Sequence, residues 1–209
     1  MGNLSILRAA IPTAQVSSYT TGSITLPSAR GQFVEASFDW IATGTSTGSS
    51  SEIVFSDIPQ TYTNLMIYGS ARAQGNSEGQ GIYIQFNSDT AANYNYIRYA
   101  FERKNTTSNA YSAVGNSQNG LYFDVAPDTA YTTNLFGGVV CDILNYSSSS
   151  DYKTLISEPH VPFTSGVTTY IWHHAGAWMS NSAITSLRIY NPSSNNFVSG
   201  STYSLYGVR

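Results

Sequence analysis

Residues 81–99 read GIYIQFNSDTAANYNYIRY, and this stretch decides the fold. Ile82, Ile84 and Phe86 alternate with other side chains, which is the period of two expected of a strand with one buried face. The segment that follows is rich in Asn, Ser and Asp, whose side chains bond to turn backbone. The alternation resumes over residues 95–99, where tyrosine favours a strand. The stretch therefore predicts a β-hairpin.

Short strand patterns of this kind recur about every ten residues, separated by Gly, Pro, Asn and Ser. The other predicted strands are 32–41, 52–58, 64–74, 120–126, 134–146, 152–163, 168–180, 184–191 and 201–209. Strands 168–180 and 184–191 are expected to pair with each other, and 42–51 and 105–119 to form loops. Regular short strands without a credible helix predict an all-β protein, an antiparallel β-sandwich resembling a jelly roll.

The first 35 residues differ from the rest, because they contain two prolines and many Ser and Thr without a sustained period. We predict an extended N-terminal arm over 1–35, followed by the sandwich domain over 36–209. Arms of this composition are often ordered by a partner. The alternatives are a flexible leader or a strand added to the domain's own sheet. The candidate contact residues of the arm are Leu4, Ile6, Leu7 and Ile11.

Charged residues are only 10% of the chain and the formal net charge is −3. No basic footprint supports nucleic-acid binding. No stretch approaches the roughly 18 apolar residues of a membrane-spanning helix, so no membrane insertion is expected. The absence of a secretory pattern predicts synthesis in the cytosol. The single cysteine, Cys141, lies in an apolar run and is interpreted as a buried small hydrophobe.

Catalytic patterns are weak, and we predict no enzyme, no cofactor and no metal. His173 and His174 are neighbours in a predicted strand, so they point to opposite faces and cannot share a metal by themselves. No sequence pattern pairs the acids as glycoside hydrolysis requires. The acids available for such a role are Asp124, Asp128, Asp142 and Glu158.

Asp89, with Asn87 and Asn93, could supply oxygen ligands to calcium. Turn formation explains all three side chains equally well, because Asn and Asp bond to the backbone of their own turn. Both interpretations stay open at this point.

Tyrosine and tryptophan are abundant, and both are typical of protein interfaces. Trp172 and Trp178 are six residues apart in one predicted strand and therefore share a face. The aromatic residues proposed for an interface or for stacking on a ligand are Tyr94, Tyr96, Tyr99, Trp172, Trp178, Tyr203 and Tyr206. Their possible roles are contact with another subunit or another protein of an assembly, contact with sugar rings, and ordinary packing.

Two regions, 82–99 and 184–209, carry a resemblance. The first has a strand ending in FN, a DT turn and an NYxY strand, and the second closes on SGSTxSLYG. This arrangement resembles small β-sandwich virion proteins of tailed bacteriophages, found as capsid decoration (cement) proteins, head or tail fibre modules and baseplate appendages. The resemblance implies a non-enzymatic homotrimer in the virion, in contact with the major capsid protein or a tail or baseplate protein.

Three functions follow from these observations, in order of preference. The first is a trimeric capsid decoration protein that stabilises the particle. The second is the receptor-binding tip of a tail fibre or baseplate appendage, which recognises carbohydrate on the host surface. The third is an enzyme such as a polysaccharide depolymerase, which the lack of paired acids disfavours.

Overall fold

The structure, a computed structural model, describes residues 38–76, 79–104, 107–131, 133–161 and 169–209. The chain divides into two units, Met1–Ser37 and Phe38–Arg209, and the described residues all belong to the second unit. The arm predicted over 1–35 lies outside the described residues. So do its candidate contact residues, Leu4, Ile6, Leu7 and Ile11.

The described residues form an all-β sandwich of two antiparallel sheets, as predicted. The strands are β1 (Phe38–Thr45), β2 (Glu52–Phe55), β3 (Asn64–Ala71), β4 (Gln80–Phe86), β5 (Tyr94–Lys104), β6 (Thr107–Gln118), β7 (Leu121–Ala126), β8 (Gly137–Leu144), β9 (Lys153–Val161), β10 (Thr169–Trp178), β11 (Leu187–Tyr190) and β12 (Thr202–Val208). The larger sheet has the order β1-β12-β3-β8-β9-β10-β5-β6, and the smaller sheet has the order β2-β11-β4-β7.

The topology is that of a jelly roll with two insertions. When β5–β6 and β9–β10 are set aside, β1-β12-β3-β8 faces β2-β11-β4-β7, and the chain passes between the sheets as in two Greek keys. Each insertion is an antiparallel pair of strands, and β10 joins the two by pairing with β5. We call the four inserted strands, β9, β10, β5 and β6, the wing. The wing extends the larger sheet on one side.

Alternating side chains from both sheets fill the core. Ile82, Ile84 and Phe86 of β4 are fully buried, which confirms the periodicity of that strand, and Ile67 and Leu205 meet them from the larger sheet. The smaller sheet ends at β7, which packs against β9, β10 and β5 of the wing, and β6 lies one strand further out. The inner face of the outermost wing strands therefore extends past the end of the smaller sheet.

The predicted hairpin at 81–99 is wrong, although its two strands and its turn are present. Strand β4 belongs to the smaller sheet, where it pairs with β11 and β7, and β5 belongs to the larger sheet, where it pairs with β10 and β6. Asn87 and Ser88 adopt left-handed conformations, with φ of 51° and 56°. The turn reverses the chain and also carries it from one sheet to the other, which local turn chemistry does not specify.

The predicted pairing of strands 168–180 and 184–191 is also wrong. Strand β10 lies in the larger sheet between β9 and β5, whereas β11 lies in the smaller sheet between β2 and β4. The link between them is held by Asn87, whose Oδ1 accepts hydrogen bonds from the backbone N–H groups of Thr185 and Ser186. A side chain distant in sequence therefore determines where this segment crosses.

Two predicted loops contain strand. Residues 42–45 belong to β1, and residues 107–118 form β6. Strand β6 is an edge strand whose side chains are mostly exposed on both faces, so it has no apolar alternation to reveal it. The two prolines of 152–163 predict an interrupted strand. At Pro159 the ladder between β9 and β10 does skip two residue pairs, while Pro162 lies outside the described residues.

Candidate interaction surfaces

The outer face of the wing is apolar and exposed. Ile171 of β10 lies beside Phe101 of β5, and Ile97 of β5 lies beside Val114 of β6. The exposed fractions of these four side chains are 55%, 59%, 54% and 67% respectively. Monomeric proteins rarely expose contiguous apolar surface of this kind unless it binds something. We call this surface the outer patch, and it consists of Ile97, Tyr99, Phe101, Val114, Ile156 and Ile171.

Few charges interrupt the outer patch. His173 Nδ1 lies 3.2 Å from Glu158 Oε1, and the His173 ring stacks on Tyr99 at a centroid distance of 4.9 Å. Partial burial, with the neighbouring charge of Glu158, raises the pKa of the Asp142 carboxyl. His173 and Glu158 therefore contact each other, and the surface around them carries apolar and aromatic side chains.

Two of the seven predicted contact aromatics lie on the outer face of the larger sheet. Tyr99 is exposed within the outer patch. Tyr206 lies on β12, away from the wing, and its ring meets the exposed ring of Tyr68 edge-on at 5.7 Å. Both rings are therefore placed where a partner could reach them.

Three of the predicted aromatics lie in the core, so they do not offer a ring to a partner. Tyr94, Trp178 and Tyr203 are at most 2% exposed, and each polar atom is satisfied inside the protein. Trp178 Nε1 donates to Asp89 Oδ2 at 2.7 Å, and Tyr94 Oη donates to the carbonyl of Asp89 at 3.1 Å. These bonds anchor the turn after β4 to the wing.

The sequence analysis missed the aliphatic members of the outer patch. In β5 the residues on one face, Tyr94, Tyr96 and Arg98, alternate with Ile97 and other apolar residues on the opposite face. A strand that is apolar or aromatic on both faces is typical of burial on both faces. Apolar residues on both faces of 94–101 therefore indicated that the outer face is covered by a partner. The sequence analysis considered only the tyrosines of this strand as contact residues.

The inner face of the wing carries a cleft of about 300 Å³ beside strand β7. The Arg98 guanidinium lies between two rings, with its Cζ 4.0 Å from the centroid of Tyr122 and 5.0 Å from that of Trp172. Trp172 and Tyr170 are tilted neighbours on β10 at 5.8 Å. Trp172 and Trp178 share this inner face, as predicted, but only Trp172 lines the cleft. Tyr96 is half-buried and packs edge-on against Tyr83 nearby.

A buried carboxylate closes one side of the cleft. Glu102 is 9% exposed and accepts hydrogen bonds from Asn109 Nδ2 at 2.9 Å, from the hydroxyl of Tyr111, and from that of Tyr170 at 3.1 Å. The bond to Glu102 raises the pKa of the Tyr111 hydroxyl. The network fixes both tyrosine rings, and the hydroxyl oxygen of Tyr111 keeps a lone pair that can accept a further bond.

The two adjacent histidines point to opposite faces, as predicted. His173 faces out, and His174 is buried between Tyr122 and Trp172, at ring distances of 5.1 and 5.8 Å. Burial, with the nearby charge of Arg98, lowers the pKa of His174 to about 3. His174 is therefore neutral at physiological pH and serves as part of the packed wall behind the cleft.

Both carboxylate oxygens of Asp89, the acid considered for calcium, already accept hydrogen bonds within the protein. Asp89 Oδ2 accepts from Asn93 Nδ2 and Trp178 Nε1, and its Oδ1 accepts from the backbone of Ala91. Burial opposes ionisation of this carboxylate, but the hydrogen bonds from Asn93, Trp178 and Ala91 lower its pKa overall. Across the described residues, no three His, Cys, Asp or Glu side chains are grouped as metal ligands.

The candidate catalytic acids lie in different surroundings. Asp124 and Asp128 are buried, and Asp128 Oδ2 accepts a hydrogen bond from Gln80 Nε2 at 3.1 Å. Burial raises the pKa of Asp124 to about 6, although hydrogen bonds from Tyr203 and the backbone of Val125 oppose the rise. Cys141 is fully buried as predicted, and burial raises the pKa of its thiol.

Comparison with known proteins yields no match to a family model, a curated protein or a solved structure. Nor does the part of the chain that the structure describes contain a helix long and apolar enough to span a membrane. The class of protein is thus defined by its fold and its surfaces. It is an antiparallel jelly-roll sandwich with an inserted wing, which is apolar on its outer face and has an aromatic cleft on its inner face.

Proposed function

We propose that this chain is a non-enzymatic structural protein of a tailed-phage virion, a trimeric capsid decoration protein whose subunits associate through the outer patch. The observation that carries the proposal is the exposed apolar face of the wing. Its assignment to a virion rests on the resemblance of residues 82–99 and 184–209. The homotrimer, and contact with the major capsid protein or a tail or baseplate protein, rest on the same resemblance.

Burial of the outer patch would supply the driving force for association. Removal of apolar surface from water contributes about 25 cal/mol per Å², and side chains such as Phe101 and Ile171 are more than half exposed on the wing. Because the patch lies on a sheet, its shape is rigid, so little conformational entropy is lost on association. Low charge would make such an assembly insensitive to salt.

The occupant that we propose for the patch is another copy of this chain. The patch is nearly uncharged, so two copies can meet without juxtaposing like charges. It also adjoins β6, the edge of the larger sheet, whose outward backbone groups are a template for strand addition by a neighbour. Self-association would cover the apolar face and the strand edge together.

A matched pair of variants tests this proposal. Ile171→Ser alters the patch, and Val54→Ser alters an exposed aliphatic residue on the smaller sheet, with exposed fractions of 55% and 53%. We expect sedimentation velocity to show that Ile171→Ser shifts the oligomer toward monomer at micromolar concentration, while Val54→Ser leaves it unchanged. Equal behaviour of the two variants, with both folded, would refute the role of the patch.

A further inference from the structure

We propose that the cleft on the inner face of the wing binds a pyranose sugar unit of a saccharide. This inference is independent of the assembly proposal, because the cleft and the outer patch lie on opposite faces of the same strands. Its lining combines aromatic rings with fixed polar groups, the composition typical of small-molecule sites. The side chains that carry the argument are Arg98, Glu102, Tyr111, Tyr122, Tyr170 and Trp172.

The position of the cleft follows from the topology. Jelly-roll strand β7 ends the smaller sheet over the wing, while β5 and β6 continue beyond it. The large side chains of the inner face stand around the small side chain of Ala100, which the register places beside Trp172 on β10 and Tyr111 on β6. The cleft therefore exists because the inserted strands extend past β7 and because a small residue, Ala100, lies between the large residues Trp172 and Tyr111.

Two donors beside the cleft lack a partner within the described residues. Arg98 Nε and Trp172 Nε1 are buried, and neither makes a hydrogen bond there. A buried donor left unsatisfied destabilises the folded protein, so such groups usually serve a ligand or ordered water. Both groups can only donate, so the ligand must present oxygen acceptors at this end.

The other end of the cleft offers an acceptor. The hydroxyl of Tyr111 is committed as a donor to Glu102, which leaves its oxygen as an acceptor. Each sugar hydroxyl both donates and accepts, so a sugar can satisfy both ends of the cleft. The rings of Trp172 and Tyr170 supply a face for the C–H side of a pyranose. A volume of about 300 Å³ suits one or two sugar rings.

The charges in the cleft restrict the ligand further. Arg98 is positive and lies between two rings, and Glu102 is negative and accepts three hydrogen bonds. Among the described residues that line the cleft, one charge of each sign gives no net preference for an ion. A hydroxyl-rich neutral sugar fits this balance, and an acidic sugar would place its carboxylate beside Arg98 and away from Glu102.

The test is binding of the full chain to a glycan array that carries neutral hexose, N-acetylhexosamine, uronic acid and sialic acid glycans. We expect binding that Trp172→Ala weakens at least tenfold, while Trp40→Ala, which removes an exposed tryptophan from β1, leaves it unchanged. Tyr111→Phe removes one hydroxyl from a half-exposed ring and should weaken binding several-fold without affecting the fold.

Absence of binding to every glycan class would overturn the proposal, and so would undiminished binding by both Trp172→Ala and Tyr111→Phe. Preference for uronic or sialic acid glycans would assign the ligand carboxylate to Arg98, and preference for hexoses would assign a neutral sugar. Both variants should keep the oligomeric mass of the unaltered chain. If either cleft variant had a smaller oligomeric mass but still bound glycans, the result would count against association through the outer patch and not against the sugar site.

Discussion

Two tyrosines of β12, predicted alike to be contact residues, have different surroundings. Tyr203 is fully buried and donates its hydroxyl proton to Asp124 Oδ2 at 2.6 Å. Tyr206 lies on the outer face of the same strand beside Tyr68. An odd spacing of three residues places them on opposite faces, which strand alternation could have shown.

We predict that Tyr203→Phe lowers the free energy of unfolding by about 1–3 kcal/mol, because it leaves a buried carboxyl without its donor. Tyr206→Phe keeps the ring contact with Tyr68 and should change stability by less than about 0.5 kcal/mol. Urea denaturation of both variants measures the difference. Equal small effects would mean that the bond to Asp124 contributes nothing net.

Two buried groups act on stability in opposite directions as pH changes. The pKa of Asp124 is raised by burial from 3.8 to about 6, so the folded state holds a proton that the unfolded state has lost, and stability falls as pH rises through this window. Burial lowers the pKa of His174 from 6.5 to about 3, so the unfolded state takes up the proton first, and stability falls as pH falls below 6.5.

Because the two effects oppose each other between about pH 4 and pH 6, removing one should expose the other. We predict that the stability of Asp124→Asn rises more steeply with pH than that of the unaltered chain over this window. His174→Gln should show the reverse change in slope. Chemical denaturation at pH 4.5, 5.5 and 6.5 gives the slopes, and unchanged slopes in both variants would contradict the assignments.

At the scale of elements, the turn between β4 and β5 joins the two sheets. Asp89 accepts hydrogen bonds from Asn93, from Trp178 and from the backbone of Ala91. The bond from Trp178 holds the crossing segment to the end of β10. The sequence predicted the turn from its Asn, Ser and Asp residues, but assigned both strands to one sheet. Turn chemistry is local, whereas sheet membership depends on partners such as β11 and β10 that are distant in sequence.

We predict that Asp89→Ala lowers the free energy of unfolding by about 1–3 kcal/mol, because a half-buried turn loses several hydrogen bonds at once. Thr90→Ala changes the adjacent exposed residue and serves as the control, with an expected effect below about 0.5 kcal/mol. Thermal unfolding of both variants provides the comparison. A neutral Asp89→Ala would show that the turn is held by its backbone alone.

At the scale of the whole molecule, periodicity and turn residues were enough to predict an all-β antiparallel sandwich. Strand count was underestimated because polar edge strand β6 lacks apolar alternation. The division into a jelly roll and a wing could not be predicted, because it depends on which distant strands pair. The sequence identified the aromatic residues as candidate contact residues. Only their burial in the structure distinguishes Tyr99 of the outer patch and Trp172 of the cleft from the aromatic residues of the core.

The central claim is that the outer patch is buried between copies of this chain. The most direct test is the mass of the full chain in solution, measured by sedimentation velocity over a range of concentrations. The account predicts a stable species of three times 22.6 kDa. A dimer would retain burial of the patch but contradict the trimer, and a species of 22.6 kDa at every concentration would contradict self-association altogether.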